Sequence, residues 1–82
     1  FDTGVIVVAV EKGSSGYKAG IDIEDIILAL NGVQISSAED IKNIILDQDI
    51  RSGDKITLKI YRDGETKLIK LKLEKVNNSY FY

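Results

Sequence analysis

From Lys55 to Glu74 the chain reads KITLKIYRDGETKLIKLKLE, and this stretch limits the available folds more than any other. Ile56, Leu58 and Ile60 alternate with Thr57, Lys59 and Tyr61; beyond Asp63-Gly64, Ile69, Leu71 and Leu73 alternate with Lys70, Lys72 and Glu74. Side chains of an extended strand point to opposite faces with a period of two, so each half is a strand with one apolar face. The Asp-Gly step between them is the mark of a tight hairpin. A lone hairpin cannot hide its apolar face, so the rest of the chain must supply a layer to cover it.

The upstream sequence offers that layer. GVIVVAV, Gly4 to Val10, is a continuous run rich in β-branched residues and predicts a strand buried on both faces. EKGSSG (11–16) breaks the run, Ser15 to Ala19 has room for one helical turn, and Gly20 is placed to end that turn in a left-handed conformation. Ile26 to Leu30 reads as a strand, and Asn31-Gly32 turns it back into Val33-Gln34-Ile35. Ser36 and Ser37 are both able to cap a helix, with Glu39 or Asp40 completing a capping box, and Ile41, Ile44, Ile45 and Gln48 fall on one face of that helix. The predicted architecture is α+β, mainly β: a partly open five-stranded β-barrel or sandwich with two helices. Residues 1–76 form a single domain and 77–82 (NNSYFY) a tail unlike the rest.

Composition narrows the chemistry. The 82 residues fit one modest core. Neither Cys nor His occurs, which removes disulfides, thiolate metal sites and the commonest general base. Eleven basic and thirteen acidic residues are interspersed to a net charge of −2, a balance that argues against a nucleic-acid surface. Val5 to Val10 is too short a run to enter a membrane, the N-terminus does not read as a signal peptide, and the lack of Met implies an excised domain or mature fragment.

Several short patterns imitate sites. Ser15 and Lys18 have the S-x-x-K spacing of a lysine-activated nucleophile, and Gly13-Ser-Ser-Gly16 has the form of a GXXG loop; a turn followed by a short helix accounts for both. Asp22, Glu24 and Asp25 lack the alternation of a calcium loop and read as a solvated acidic turn. Asn77-Asn-Ser79 is formally a glycosylation sequon. Lys59, Lys67, Lys70 and Lys72 read as a basic stripe on the exposed face of the last hairpin, where lysines discourage edge aggregation. No residue pattern calls for a metal or other cofactor.

Taken in order, the Gly-led strand, the GS…AG turn-helix, the Asp25-Ile-Ile strand entry, the Asn-Gly hairpin, the SAED helix start, the Gly53-Asp54 before the next strand and the RDG hairpin closely resemble a PDZ domain of the bacterial type. Such domains occur in HtrA-like (DegP/DegQ-type) serine proteases, and also in site-two metalloproteases and carboxy-terminal processing proteases. The resemblance covers Gly4 to about Glu74 and implies the permuted strand order of that type.

It also implies a function. In the PDZ family an extended peptide adds as a strand between a sheet edge and the longer helix. Carried over, the helix side of the groove is Ile41, Ile44 and Ile45 with Gln48 at the rim, and the strand side begins at Val5 and Ile6. An aliphatic floor favours hydrophobic C-terminal peptides or segments of unfolded protein. The domain itself is expected to be non-catalytic, serving the protease domain of a parent serine endopeptidase outside the cytoplasm, anchored through that parent. One departure stands out. The family places a Gly-containing carboxylate-binding loop and its strand just upstream of the Gly4-like residue, whereas here only Phe1-Asp2-Thr3 precede it. Either that half of the groove is missing, or the aromatic tail Tyr80, Phe81 and Tyr82 docks in a groove, its own or that of a second copy.

Overall fold

The structure is a computed structural model, and residues 3–74 and Phe81 are described. The elements run β1 (Val5–Ile6), α1 (Ser15–Ala19), β2 (Ile26–Leu30), β3 (Val33–Gln34), α2 (Ala38–Asp47), β4 (Lys55–Arg62) and β5 (Glu65–Lys72). They build one antiparallel sheet in the order β1-β2-β4-β5, with β3 paired to the same edge of β2 as β1. This is the expected open, mainly β arrangement with two helices.

The period of two in the sequence becomes the layering of the sheet. Ile56, Leu58 and Ile60 point inward and are buried with Leu71 and Leu73, while Ile27 and Leu30 of β2 complete the same surface. The core is then closed by Val7, Ile21, Ile35 and the isoleucines of α2. Asn31-Gly32 and Asp63-Gly64 both adopt φ of 51° followed by 82°, the left-handed pair that a two-residue hairpin turn needs to match strand twist.

Side-chain hydrogen bonds fix the ends of α2. The Asp40 carboxylate accepts from the Ser36 N–H (2.8 Å), the Ser36 hydroxyl (3.0 Å) and the Ser37 N–H (3.3 Å), so of the two acids Asp40 is the one that reaches back. Those bonds hold its carboxyl below the usual range, the Ser36 N–H contributing most. At the other end Gln48 accepts from the Asn31 side-chain amide (3.0 Å), and the Asn31 side-chain oxygen accepts from the Thr57 N–H (2.9 Å). One turn residue thus ties the β2–β3 hairpin, β4 and the end of α2 together.

Two expectations need correction. Only Val5 and Ile6 of the Val5–Val10 run are in a strand, and of the run's side chains only Val7 is buried, with Ile6, Val8 and Ala9 exposed. The cause is local. The Val7 N–H donates to the Asp25 carbonyl (2.8 Å) while its own carbonyl accepts from Glu24 (2.7 Å), whose φ of 75° breaks the ladder. A β-branched run reports extended chain, and here a layer covers it on one side only. The lysine stripe also changes membership. Lys59 pairs with Leu68, Thr57 with Lys70 and Lys55 with Lys72, all on the outer face, whereas Lys67 pairs with inward Ile60 and leaves by the opposite side.

Candidate functional site

The open edge of β1 is the first element of the site. β1 pairs with β2 through Val5↔Ile27 and Ile6↔Ile26, and among the described residues no other strand joins it. In an antiparallel pair successive residues turn their main-chain groups alternately toward and away from the partner. Val7 bonds inward to Asp25 and Glu24, so Val8 faces outward, and its N–H and C=O find no partner among the described residues. The side chains of Ile6 and Val8 are 57% and 76% exposed. An extended apolar edge with unpaired main-chain groups is a template for a further strand.

The helix side differs from the expected groove floor. Ile41, Ile44 and Ile45 are 3%, 7% and 7% exposed and belong to the core, so they present almost no free apolar surface. Gln48 is exposed, and its side-chain oxygen is engaged by Asn31. The exposed large apolar residue of α2 is Leu46, which pattern reading left out because it falls off the buried stripe.

Of the tail, Tyr80 and Tyr82 lie outside the described residues. Phe81 is 1% exposed and packed in the core, and its carbonyl accepts from the Gly16 N–H at 2.6 Å, within α1. It is therefore engaged inside its own chain. Gly16 permits the approach, because a Cβ there would collide with the Phe81 carbonyl oxygen and press on Ile21 Cδ1. Phe81 lies within the 77–82 segment read as a tail from the sequence.

The other end of α1 is held by charge. Asp25 is 2% exposed and takes two hydrogen bonds from Arg62, Nε to Oδ1 at 2.7 Å and Nη2 to Oδ2 at 2.5 Å. Arg62 Nη2 also donates to the carbonyl of Gly20 (2.7 Å), and Asp25 Oδ2 accepts from the Asp22 N–H (2.8 Å). The Arg62 hydrogen bond holds the Asp25 carboxyl below the usual carboxylate range against the opposing effect of burial, with Lys67 assisting; the same bond raises Arg62. The acidic turn is thus anchored at its last member instead of solvated throughout. Among the described residues no group of acids is arranged to hold a metal ion. The sequence did carry a signal for this pair: Arg62 continues the inward parity of Ile56, Leu58 and Ile60, and an inward arginine requires an acid.

Ser15 and Lys18 show no catalytic relation. The Ser15 hydroxyl is buried and has no hydrogen-bond partner among the described residues, and Lys18 is exposed in the last turn of α1.

Comparison with known proteins places this fold. Residues 2–73 match the family model of the PDZ domain. The chain belongs to the PDZ domain family. It is 41% identical over 76 residues to the serine protease Do-like HtrB of Bacillus subtilis, covering 93% of this chain and 16% of that protein. It is 40% identical over 63 residues to a probable periplasmic serine endoprotease, DegP-like, of Chlamydia trachomatis, covering 77% of this chain and 12% of that protein. Among solved structures, an aminopeptidase N family protein from Idiomarina loihiensis superimposes with a TM-score of 0.80 at 25% identity, covering 98% of this chain and 13% of that one. The PDZ domain of HtrA3 bound to a phage-derived ligand, FGRWV, gives a TM-score of 0.74 at 22% identity, covering 88% and 61%. The chain thus spans less than a fifth of the length of the curated relatives it matches.

Proposed function

We propose that this domain binds hydrophobic C-terminal peptides, or extended segments of unfolded protein, by strand addition at the open edge of β1. In a parent serine endopeptidase it delivers such segments to the protease domain or regulates that domain in response to them. The observation that carries the reading is the edge itself, where Ile6 and Val8 stand exposed and the main-chain groups of Val8 are unpaired among the described residues. Main-chain bonds along such an edge supply affinity for any extended chain, and side-chain contacts select among them. Membership of the PDZ family supports this, as does the peptide ligand of the HtrA3 domain. Similarity to HtrA-type and DegP-like serine proteases supports the parent assignment, and the description of the latter as periplasmic supports a location outside the cytoplasm. Among the described residues no helix is long and apolar enough to cross a membrane.

The test is an NMR titration of the labelled chain with short peptides that end in a hydrophobic residue, bearing either a free or an amidated C-terminus. Saturable shifts centred on Val5 to Val8 that depend on the free carboxylate are the expected result. An absence of shifts with either peptide removes the reading for this chain.

A further inference from the structure

We infer that the outer face of β4 and β5 docks an acidic protein segment that carries an aliphatic side chain. The pairing register puts Lys55, Lys59, Lys70 and Lys72 on this one face, and the remaining β4 and β5 residues there are Thr57, Tyr61, Thr66 and Leu68. The β2, β3 and β1 residues brought to the same face by pairing are Ile26, Ala29, Gln34 and Ile6. None of these positions is acidic, although the chain as a whole carries a net charge of −2. The positive charge is therefore segregated by the fold and invisible in the composition.

Edge protection accounts for only part of it, since Lys70 and Lys72 stand on β5 at the end of the sheet. Lysines on an edge strand discourage unwanted pairing, but Lys55 and Lys59 stand on β4, which is flanked by β2 and β5. Leu68, directly across from Lys59, works against such protection, because it leaves a large apolar side chain 70% exposed among the lysines. Leu68 also lines a concavity of about 420 Å³ with Leu28, Ala29, Gln34, Thr57 and Lys59. Leu28 is the extra residue where the β2–β4 register shifts, and such a bulge re-aims side chains locally. A hollow of partly apolar lining, with Lys59 in its wall and Lys55, Lys70 and Lys72 on the same face, complements a leucine-sized side chain flanked by carboxylates. A flat anionic bilayer matches the charge but has nothing that fills the hollow.

The probe is acetyl-Asp-Glu-Leu-Glu-Asp-amide, titrated at low salt into the labelled chain. Both ends are blocked, so recognition of a free C-terminus at β1 is not engaged, and the location of the shifts, on β4 and β5 or on Val5 to Val8, distinguishes failure of this inference from failure of the proposed function. Expected are saturable shifts centred on Thr57, Lys59, Leu68 and Lys70. The double variant Lys59→Glu with Lys70→Glu weakens binding by about tenfold or more, and replacing the peptide leucine by serine has an effect of about the same size. Lys59→Gln, which removes one charge and no more, gives a smaller loss in the same direction. Both lysines are exposed, so the variants keep the fold, which the amide spectrum checks. Equal shifts with the charge-reversed peptide, shifts centred on β1, no shifts at all, or a response confined to phosphatidylglycerol vesicles would each overturn the inference.

Discussion

The two ends of α1 are held by opposite chemistry. At the start, the Gly16 N–H meets the carbonyl of Phe81, whose ring is buried in the core; just past the end, the Gly20 carbonyl meets Arg62, itself fastened to buried Asp25. The first attachment relies on apolar burial and close backbone approach, neither of which responds to pH between acid and neutral. The second relies on an ionised carboxylate. A five-residue helix has little stability of its own, so its place in the fold depends on both.

The largest expected effect comes from emptying the Phe81 socket. Phe81→Ala should destabilise by about 3–5 kcal/mol, measured by denaturant unfolding, because a fully buried aromatic leaves both lost transfer energy and a cavity. A cost below roughly 1 kcal/mol would show that the ring contributes little to the core. Next comes the charged end. Asp25→Asn should cost about 3 kcal/mol at neutral pH, the lower part of the range for breaking a buried pair because the Arg62 side chain keeps 27% exposure. The sign of the pH effect follows from the lowered carboxyl. Its contribution is complete above the unfolded-state value of about 3.9 and fades as pH falls through the lower folded-state value. The wild type should therefore lose stability in that acid range more steeply than the Asn variant; parallel profiles would separate the ion pair from acid sensitivity.

A smaller change tests whether Phe81 and Gly16 act as a unit. Gly16→Ala should cost about 1–3 kcal/mol through the collision with the Phe81 carbonyl, and in a double-mutant cycle with Phe81→Ala the two losses should add to less than their sum. The same cycle between Gly16→Ala and Asp25→Asn gives the contrast between the two ends. The smallest effect has the opposite sign. Ser15→Ala removes a buried hydroxyl that has no partner among the described residues and should stabilise by about 1 kcal/mol, seen as a rise in Tm.

The two ends also differ in how far the sequence announced them. Gly20 and the Asp25 turn are legible from local chemistry, and the partner of Asp25 follows from strand parity once Arg62 is counted with Ile56, Leu58 and Ile60. The partner of Phe81 has no such signal. The aromatic run Tyr80-Phe81-Tyr82 suggests docking but belongs to no period that would name a partner, and the group Phe81 meets lies near the other end of the chain, so the contact exists only in three dimensions. The hairpin of β4 and β5 and both two-residue turns were legible for the reason that Gly20 was: their determinants are neighbours in sequence. The reach of the first strand was not, because composition cannot say whether a second layer covers a run such as Val5 to Val10. In the candidate groove, helical spacing correctly grouped Ile41, Ile44 and Ile45 on one face, but spacing does not distinguish a core-facing stripe from an exposed floor.

The Gly16–Phe81 contact has a further consequence during synthesis. It joins residues separated by nearly the whole domain, so the ribosome must release almost all of this sequence before α1 can acquire its final neighbour. Until then the socket beside Gly16 and Ile21 is unfilled apolar surface on a nascent chain whose sheet residues are already available to pair. Translation beyond Phe81 is the step that closes it, which makes this late-emerging residue the one that ends the socket's exposure to chaperones and to neighbouring nascent chains.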